Sequence, residues 1–125
     1  LSRLRRKLGA GDDADRLAQV VNNLIDNAIS FSPEGGEIIV SAWRQGPAVN
    51  IAVTDEGPGV PQVARQSIFE RFYSERTDGQ EYGRHSGLGL SIAKAIVEAM
   101  DGQIRVEDRP DGRSGALFRV TLPAL

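Results

Sequence analysis

Three groups of residues in this chain have types and spacings that could do chemistry. The first is Asn23 and Asn27, in Val20-Val21-Asn22-Asn23-Leu24-Ile25-Asp26-Asn27-Ala28. Their spacing stacks the two carboxamides on one helix face, one turn apart. Asn is a mediocre helix former, because its side chain competes for backbone hydrogen bonds. Two facing the same way are either a solvated polar surface or a site where neutral oxygen ligands meet a hard cation or a phosphate. The second group is Asp55-Glu56-Gly57-Pro58-Gly59, whose glycines leave room beside a carboxylate for a flat ligand. A buried carboxylate there is costly unless it accepts hydrogen bonds. The exocyclic amine of adenine is such a donor, whereas guanine offers an acceptor at that edge. An Asp stabilising its own turn is the other reading. The third group is Gly87-Leu88-Gly89-Leu90-Ser91, two glycines where a helix begins. Free N–H groups at a helix N-terminus favour anions, and glycine lets a phosphate approach the backbone. The segment lacks the Lys-Ser/Thr pair of a P-loop and the third glycine of a dinucleotide fingerprint. A flexible loop capping a helix is its alternative.

The elements that must position these groups follow from periodicity. Leu17, Val20, Val21, Leu24, Ile25, Ala28 and Phe31 recur at helical spacing and predict an amphipathic helix with a buried stripe. Asp12, Asp13 and Asp15 supply an acidic start, and Ser32-Pro33-Glu34-Gly35-Gly36 a stop. Glu37 to Arg44 and Ala48 to Thr54 read as strands joined through Gln45-Gly46-Pro47, a hairpin. Asp55 to Pro61 is a loop, and a short helix around Ser67 to Tyr73 would put Phe69 and Phe72 on one side. Ser74 to Ser86 is polar without periodicity, which suits a lid, a binding loop or disorder. A second helix opens at Gly87, with Ile92, Ala93, Ile96, Val97 and Met100 as its buried face, and stops at Asp101-Gly102. Gln103 to Asp108 and Ala116 to Leu122 alternate as strands, joined through Arg109-Pro110-Asp111-Gly112. Helix, hairpin, loop, helix, hairpin predicts an α/β (α+β) two-layer sandwich. Its mixed, largely antiparallel sheet would be covered on one face by helices.

The 125 residues suffice for one domain with a single core. The chain begins at Leu1 rather than Met, as a piece of a longer protein would. Residues 1–11, basic through Arg3, Arg5, Arg6 and Lys7, read as a linker remnant from an upstream domain, and residues 12–125 as the domain itself. A net charge of −2 does not suggest a nucleic-acid partner. The lack of cysteine excludes disulfides and thiolate metal sites, and with His85 as the only histidine a zinc site is implausible. No apolar run approaches the roughly 20 residues that span a bilayer, and no signal peptide is visible. The piece itself reads as soluble, which leaves open a membrane-bound parent.

Taken in order, the asparagine helix, Asp55-x-Gly57-x-Gly59, the paired phenylalanines, the polar segment and Gly87-Leu88-Gly89-Leu90 resemble one family. It is the catalytic, ATP-binding domain of sensor histidine kinases, in the GHKL superfamily that also holds gyrase, Hsp90 and MutL. The resemblance runs from about Asp12 to Pro123 and implies the Bergerat fold. Asn23 to Asn27 is similar to the family's N box, Asp55 to Gly59 to its G1 box, Phe69 to Phe72 to its F box and Ser86 to Leu90 to its G2 box. It implies ATP and Mg²⁺ as cofactors, with Asn27 as the metal ligand and Asn23 facing the phosphates. Asp55 would read adenine, Gly57 and Gly59 would shape that pocket, and Phe72 would border the nucleotide. Ser86, Gly87, Leu88 and Gly89 would lie against the phosphates. A lid between Tyr73 and Ser86 would close over them, with Arg84 as its phosphate contact and, beside Asn23, a catalytic residue.

Two departures bear on this. Many relatives carry Lys or Arg and then Tyr just after the Asn-Ala pair, where this chain has Ser30 and Phe31. The phosphate-facing work then shifts to Arg84, Arg71 or the metal, and modest ATP affinity is expected. His85 does not match the phosphoacceptor, which in the family belongs to a separate helical dimerisation domain, and reads as a lid residue. Related ATPases such as gyrase place a general-base glutamate where this chain has Asn23. A carboxamide cannot take a proton from water near neutral pH. The resemblance therefore implies an ATP-dependent protein-histidine kinase module that donates the γ-phosphoryl group to a histidine on another domain. A nucleotide-binding or sensing module without transfer, and an autonomous ATPase, are the alternatives. It further implies a downstream response regulator, a monomeric fragment of a homodimeric parent, and a cytoplasmic location beneath a parent in the cell membrane.

Overall fold

The computed structural model describes residues 2–73 and 88–123. Helix α1 (Ser2–Phe31) is followed by the hairpin β1 (Ile39–Gln45) and β2 (Ala48–Thr54). Two short 3₁₀ turns, Gln62–Ala64 and Ser67–Phe69, precede helix α2 (Gly89–Ala99) and the second hairpin, β3 (Gln103–Asp108) and β4 (Ala116–Pro123). The sheet runs β1-β2-β4-β3, and every pairing among the described strands is antiparallel. The architecture is the expected α/β sandwich, its sheet wholly antiparallel among the described strands.

The register explains the core. Val53 pairs with Phe118 and Phe118 with Val106, while Ile51 pairs with Val120 and Val120 with Ile104. Alternation then turns all six side chains to the same face of the sheet. Val20, Leu24 and Ala28 of α1 and Ala93 and Val97 of α2 pack onto that face, each at most 1% exposed. Leu17, Val21 and Ile25 pack beside them, so the predicted stripe of α1 is the buried one. Full burial of each Val or Leu contributes about 1.5–3 kcal/mol relative to exposure. Phe69 closes the core edge-on to Phe118, with ring centroids 6.1 Å apart.

Several local expectations differ from what folds. The α1 helix begins at Ser2, so Asp12, Asp13 and Asp15 lie within it rather than at its start. Leu, Arg, Lys and Ala upstream favour helix enough to carry the chain through Gly9 and Gly11. Strand β1 is exposed along its whole length, because it is the sheet edge and the helices cover the other strands. The Phe pair does not share a helix side. The 3₁₀ turn stops at Phe69, Glu70 is extended, and Phe72 adopts φ 65° and is 64% exposed. Helix α2 starts at Gly89, and Ile92 is exposed rather than buried. Its stop is as expected: Asp101 takes the left-handed conformation and Gly102 N–H donates to Val97 O at 2.9 Å. The expected polar lid from Ser74 to Ser86 lies outside the described residues.

Candidate functional site

Helix α1 carries the two asparagines between two other predicted segments. One turn beyond Asn27, the α1 carbonyl of Phe31 approaches Gly57 so closely that a Cβ there would sit 2.8 Å from it. One turn before Asn27, Asn23 Nδ2 donates to Gly89 O at the start of α2, at 3.2 Å. Asn27 therefore stands between the loop after β2 and the N-terminus of α2. Both asparagines are half-buried, which leaves them reachable by a ligand.

Asp55 is the first residue beyond β2 and is 3% exposed. Its Oδ1 accepts from Gly57 N–H at 2.9 Å and from Ala116 N–H at 3.0 Å. Both bonds that the described residues give the carboxylate fall on Oδ1, which leaves Oδ2 to accept from a ligand. The loop is braced from both sides. Glu56 N–H donates to Ser32 Oγ at the end of α1, 3.3 Å away. From the turn between β3 and β4, Ser114 Oγ donates to Gly57 O at 2.7 Å, and Arg113 pairs with Glu56. Gly59, at φ 81°, lies against Gly115, where a Cβ would be 3.1 Å from the Gly115 carbonyl.

At the other end, α2 begins with no side-chain cap among the described residues. Leu88 is half-buried and its carbonyl accepts from Ile92 N–H and Ser91 Oγ, each at 2.9 Å. Gly89 has no positive φ, and a Cβ on it would meet no described atom within 4 Å. Packing within the described residues thus gives no reason for glycine here. Phe72 lies away from the core, with the Arg71 guanidinium 5.1 Å from its ring centroid. Arg84, His85, Ser86 and Gly87 fall outside the described residues.

Arg109 was not singled out by sequence, where Arg109-Pro110-Asp111-Gly112 reads as an ordinary turn. Its side chain is only 3% exposed. Nη1 donates to Asp55 O at 2.9 Å, and Nε and Nη2 grip both oxygens of Asp111 at 3.1 and 2.7 Å. The Arg109 bonds, followed by the Arg113 N–H, hold the Asp111 carboxyl down at about 2, and Asp111 in turn raises the Arg109 pKa. A cleft of about 690 Å³ lies beside this turn, lined by Val60, Arg65 and Arg113 among others; of the predicted site residues that are described, it touches only Gly59.

The chain is similar to known proteins in sequence and in fold. A family model described as the histidine kinase-, DNA gyrase B-, and HSP90-like ATPase matches residues 12–125. The sensor protein ChvG of Rhizobium meliloti (strain 1021) is 46% identical over 113 residues, 87% of this chain and 20% of ChvG. The sensor histidine kinase TmoS of Ectopseudomonas mendocina is 45% identical over 112 residues, 89% of this chain and 11% of TmoS. The chain thus spans about a fifth or less of these curated relatives. Among solved structures, the mycobacterial sensor histidine kinase MprB superposes with a TM-score of 0.75 at 34% identity, covering 87% of this chain and 70% of that one. Full-length ShkA in complex with AMPPNP gives 0.71 at 37% identity, covering 86% of this chain and 21% of that one.

Proposed function

The chain belongs to the histidine kinase-, DNA gyrase B- and HSP90-like ATPase family, and from that premise we propose that it is the catalytic domain of a sensor histidine kinase, binding Mg-ATP and passing the γ-phosphoryl group to a histidine on a separate helical domain. The observation that carries the kinase reading is Asn23, a carboxamide fixed against Gly89 O where hydrolysing relatives place a glutamate. It can hold a phosphate in line but cannot deprotonate water. ATP then stays intact until a better nucleophile arrives. An imidazole nitrogen attacks the γ-phosphorus, the bond to the β,γ-bridging oxygen breaks, and ADP leaves. Such transfer needs positioning and charge stabilisation more than covalent help from the protein.

Each residue has a task in this reading. Asp55, through Oδ2, accepts the adenine amine, and Gly57 and Gly59 keep the pocket floor flat. Gly89, with Leu88 and the Ser86-Gly87 pair before it, lets phosphate oxygens reach the free N–H groups of α2. Phe72 and Arg84 border the nucleotide from the lid side. Asn27 suits Mg²⁺, which takes hard oxygen donors and few protein ligands. When bound, that ion neutralises charge on the phosphate oxygens. The AMPPNP complex of ShkA, 37% identical, supports a nucleotide as the ligand of this domain.

The curated relatives extend far beyond the matched segment, which supports a parent with further domains; in this reading one of them is a dimerising phosphoacceptor domain, with a response regulator downstream. No helix among the described residues is long and apolar enough to cross a membrane. We place the domain on the cytoplasmic side of a membrane-bound homodimer, and the isolated piece as a monomer. Ser30, in place of a phosphate-reaching cation, favours a second reading: nucleotide binding without transfer. Titrating Mg-ATP against the wild type and Asn27→Ala tests the site. A large loss of Mg-dependent affinity is expected, and equal binding by both would overturn the metal assignment.

A further inference from the structure

Asp55 departs from the sheet ladder in an informative way. Continuing the β2–β4 register one step past Thr54–Leu117 sets Asp55 opposite Ala116. In an antiparallel pair of the hydrogen-bonded kind, two such residues exchange both backbone bonds. Here only one is made: Asp55 N–H donates to Ala116 O at 3.0 Å. The return bond goes from Ala116 N–H to the Asp55 side chain, Oδ1, at 3.0 Å. The carboxylate has taken the place of its own carbonyl in the ladder.

That exchange leaves the Asp55 carbonyl turned aside in a buried place, where an unpaired acceptor would be costly. Arg109 Nη1 is its donor, 2.9 Å away. Gly115 makes room, since a Cβ on it would collide with that same carbonyl oxygen. Asp111 locks the guanidinium by a two-pronged grip and also accepts from Arg113 N–H at 3.0 Å. A planar fork suits this task, because one face of it can hold a carboxylate while another N–H reaches the carbonyl.

We propose that Arg109, locked by Asp111, is a positioning residue for base selection: by holding the Asp55 carbonyl out of the ladder it keeps the Asp55 carboxylate in it, aimed to accept from adenine and to repel guanine. Without Arg109 the carbonyl competes for the Ala116 N–H and the carboxylate is released to other rotamers. The inference rests on Asp55 reading the base.

The test compares affinities for Mg-ATP and Mg-GTP, because a merely structural loss lowers the folded fraction for both and leaves their ratio unchanged. Arg109→Met is expected to reduce the ATP-over-GTP preference by about tenfold, the scale of one charged hydrogen bond. Arg109→Lys, which can reach the carbonyl but not grip Asp111 with two prongs, restores part of it. Asp111→Asn, on an exposed turn, gives a smaller loss in the same direction. A wild-type ratio retained in Arg109→Met and Asp111→Asn, while Asp55→Ala abolishes it, overturns the positioning role and leaves the base reading standing. A ratio unchanged in Asp55→Ala overturns the base reading and the inference with it.

Discussion

Replacing Gly89 by alanine separates a glycine kept for a ligand from one kept for the fold. A Cβ at Gly89 meets no described atom within 4 Å, and the residue sits at the first position of α2 without a positive φ. The substitution therefore introduces no clash with the described residues and no backbone strain. Alanine reduces the freedom of the unfolded chain and favours helix, by about 0.4–1 kcal/mol at compatible sites. The first turn of a helix takes the lower end, about 0.5 kcal/mol. For a domain of 125 residues about 1 kcal/mol moves the melting temperature by roughly 4 °C, so a rise of about 2 °C is expected. Affinity moves the other way, because the added methyl occupies the approach to the free N–H groups of α2 and holds a phosphate off them. Melting without nucleotide, paired with an ATP titration of the same preparations, reads both effects. A domain that melts lower yet binds ATP as tightly as before would refute the reasoning, since glycine would then serve the fold alone.

Other perturbations have equally definite directions. Leu24→Ala empties a fully buried site under the sheet and should cost about 2–5 kcal/mol in urea unfolding. Gly115→Ala combines a collision with the Asp55 carbonyl and a φ of 138°, so the variant should melt far below the wild type or fail to fold. The Arg109–Asp111 pair makes stability pH-dependent. Folding lowers the Asp111 pKa from 3.8 to about 2, so the pair's contribution is present above about pH 4 and is lost as pH falls toward 2. Asp111→Asn should therefore melt below the wild type at neutral pH, with the two curves converging in acid.

Much of this fold is legible in the sequence where one periodicity dominates. The α1 stripe through Leu17, Val20, Leu24 and Ala28 repeats at helical spacing and is the face that packs on the sheet. The span of β2 was readable because its apolar run ends cleanly at Gly46-Pro47 and at Asp55. Edge effects were not readable. The residues of β1 mark it as a strand, but whether a strand is buried depends on which ones the helices leave uncovered. Phe69 and Phe72 part company because a single extended residue, Glu70, ends the turn between them. Of the site, Asn23, Asn27, Asp55 and Gly89 carry local signals in their own segments. Arg109 carries none: its partner, the Asp55 carbonyl, is 54 residues away and comes within reach only once β4 has paired with β2.

In the proposed reading this domain keeps ATP for a histidine rather than for water. Incubating it with Mg²⁺ and γ-³²P-labelled ATP, alone and with a histidine-bearing helical domain supplied as acceptor, tests that claim directly. Acid-labile label on the helical domain and negligible phosphate release by this chain alone are expected. Steady phosphate release by the chain alone, with no label transferred, would contradict it.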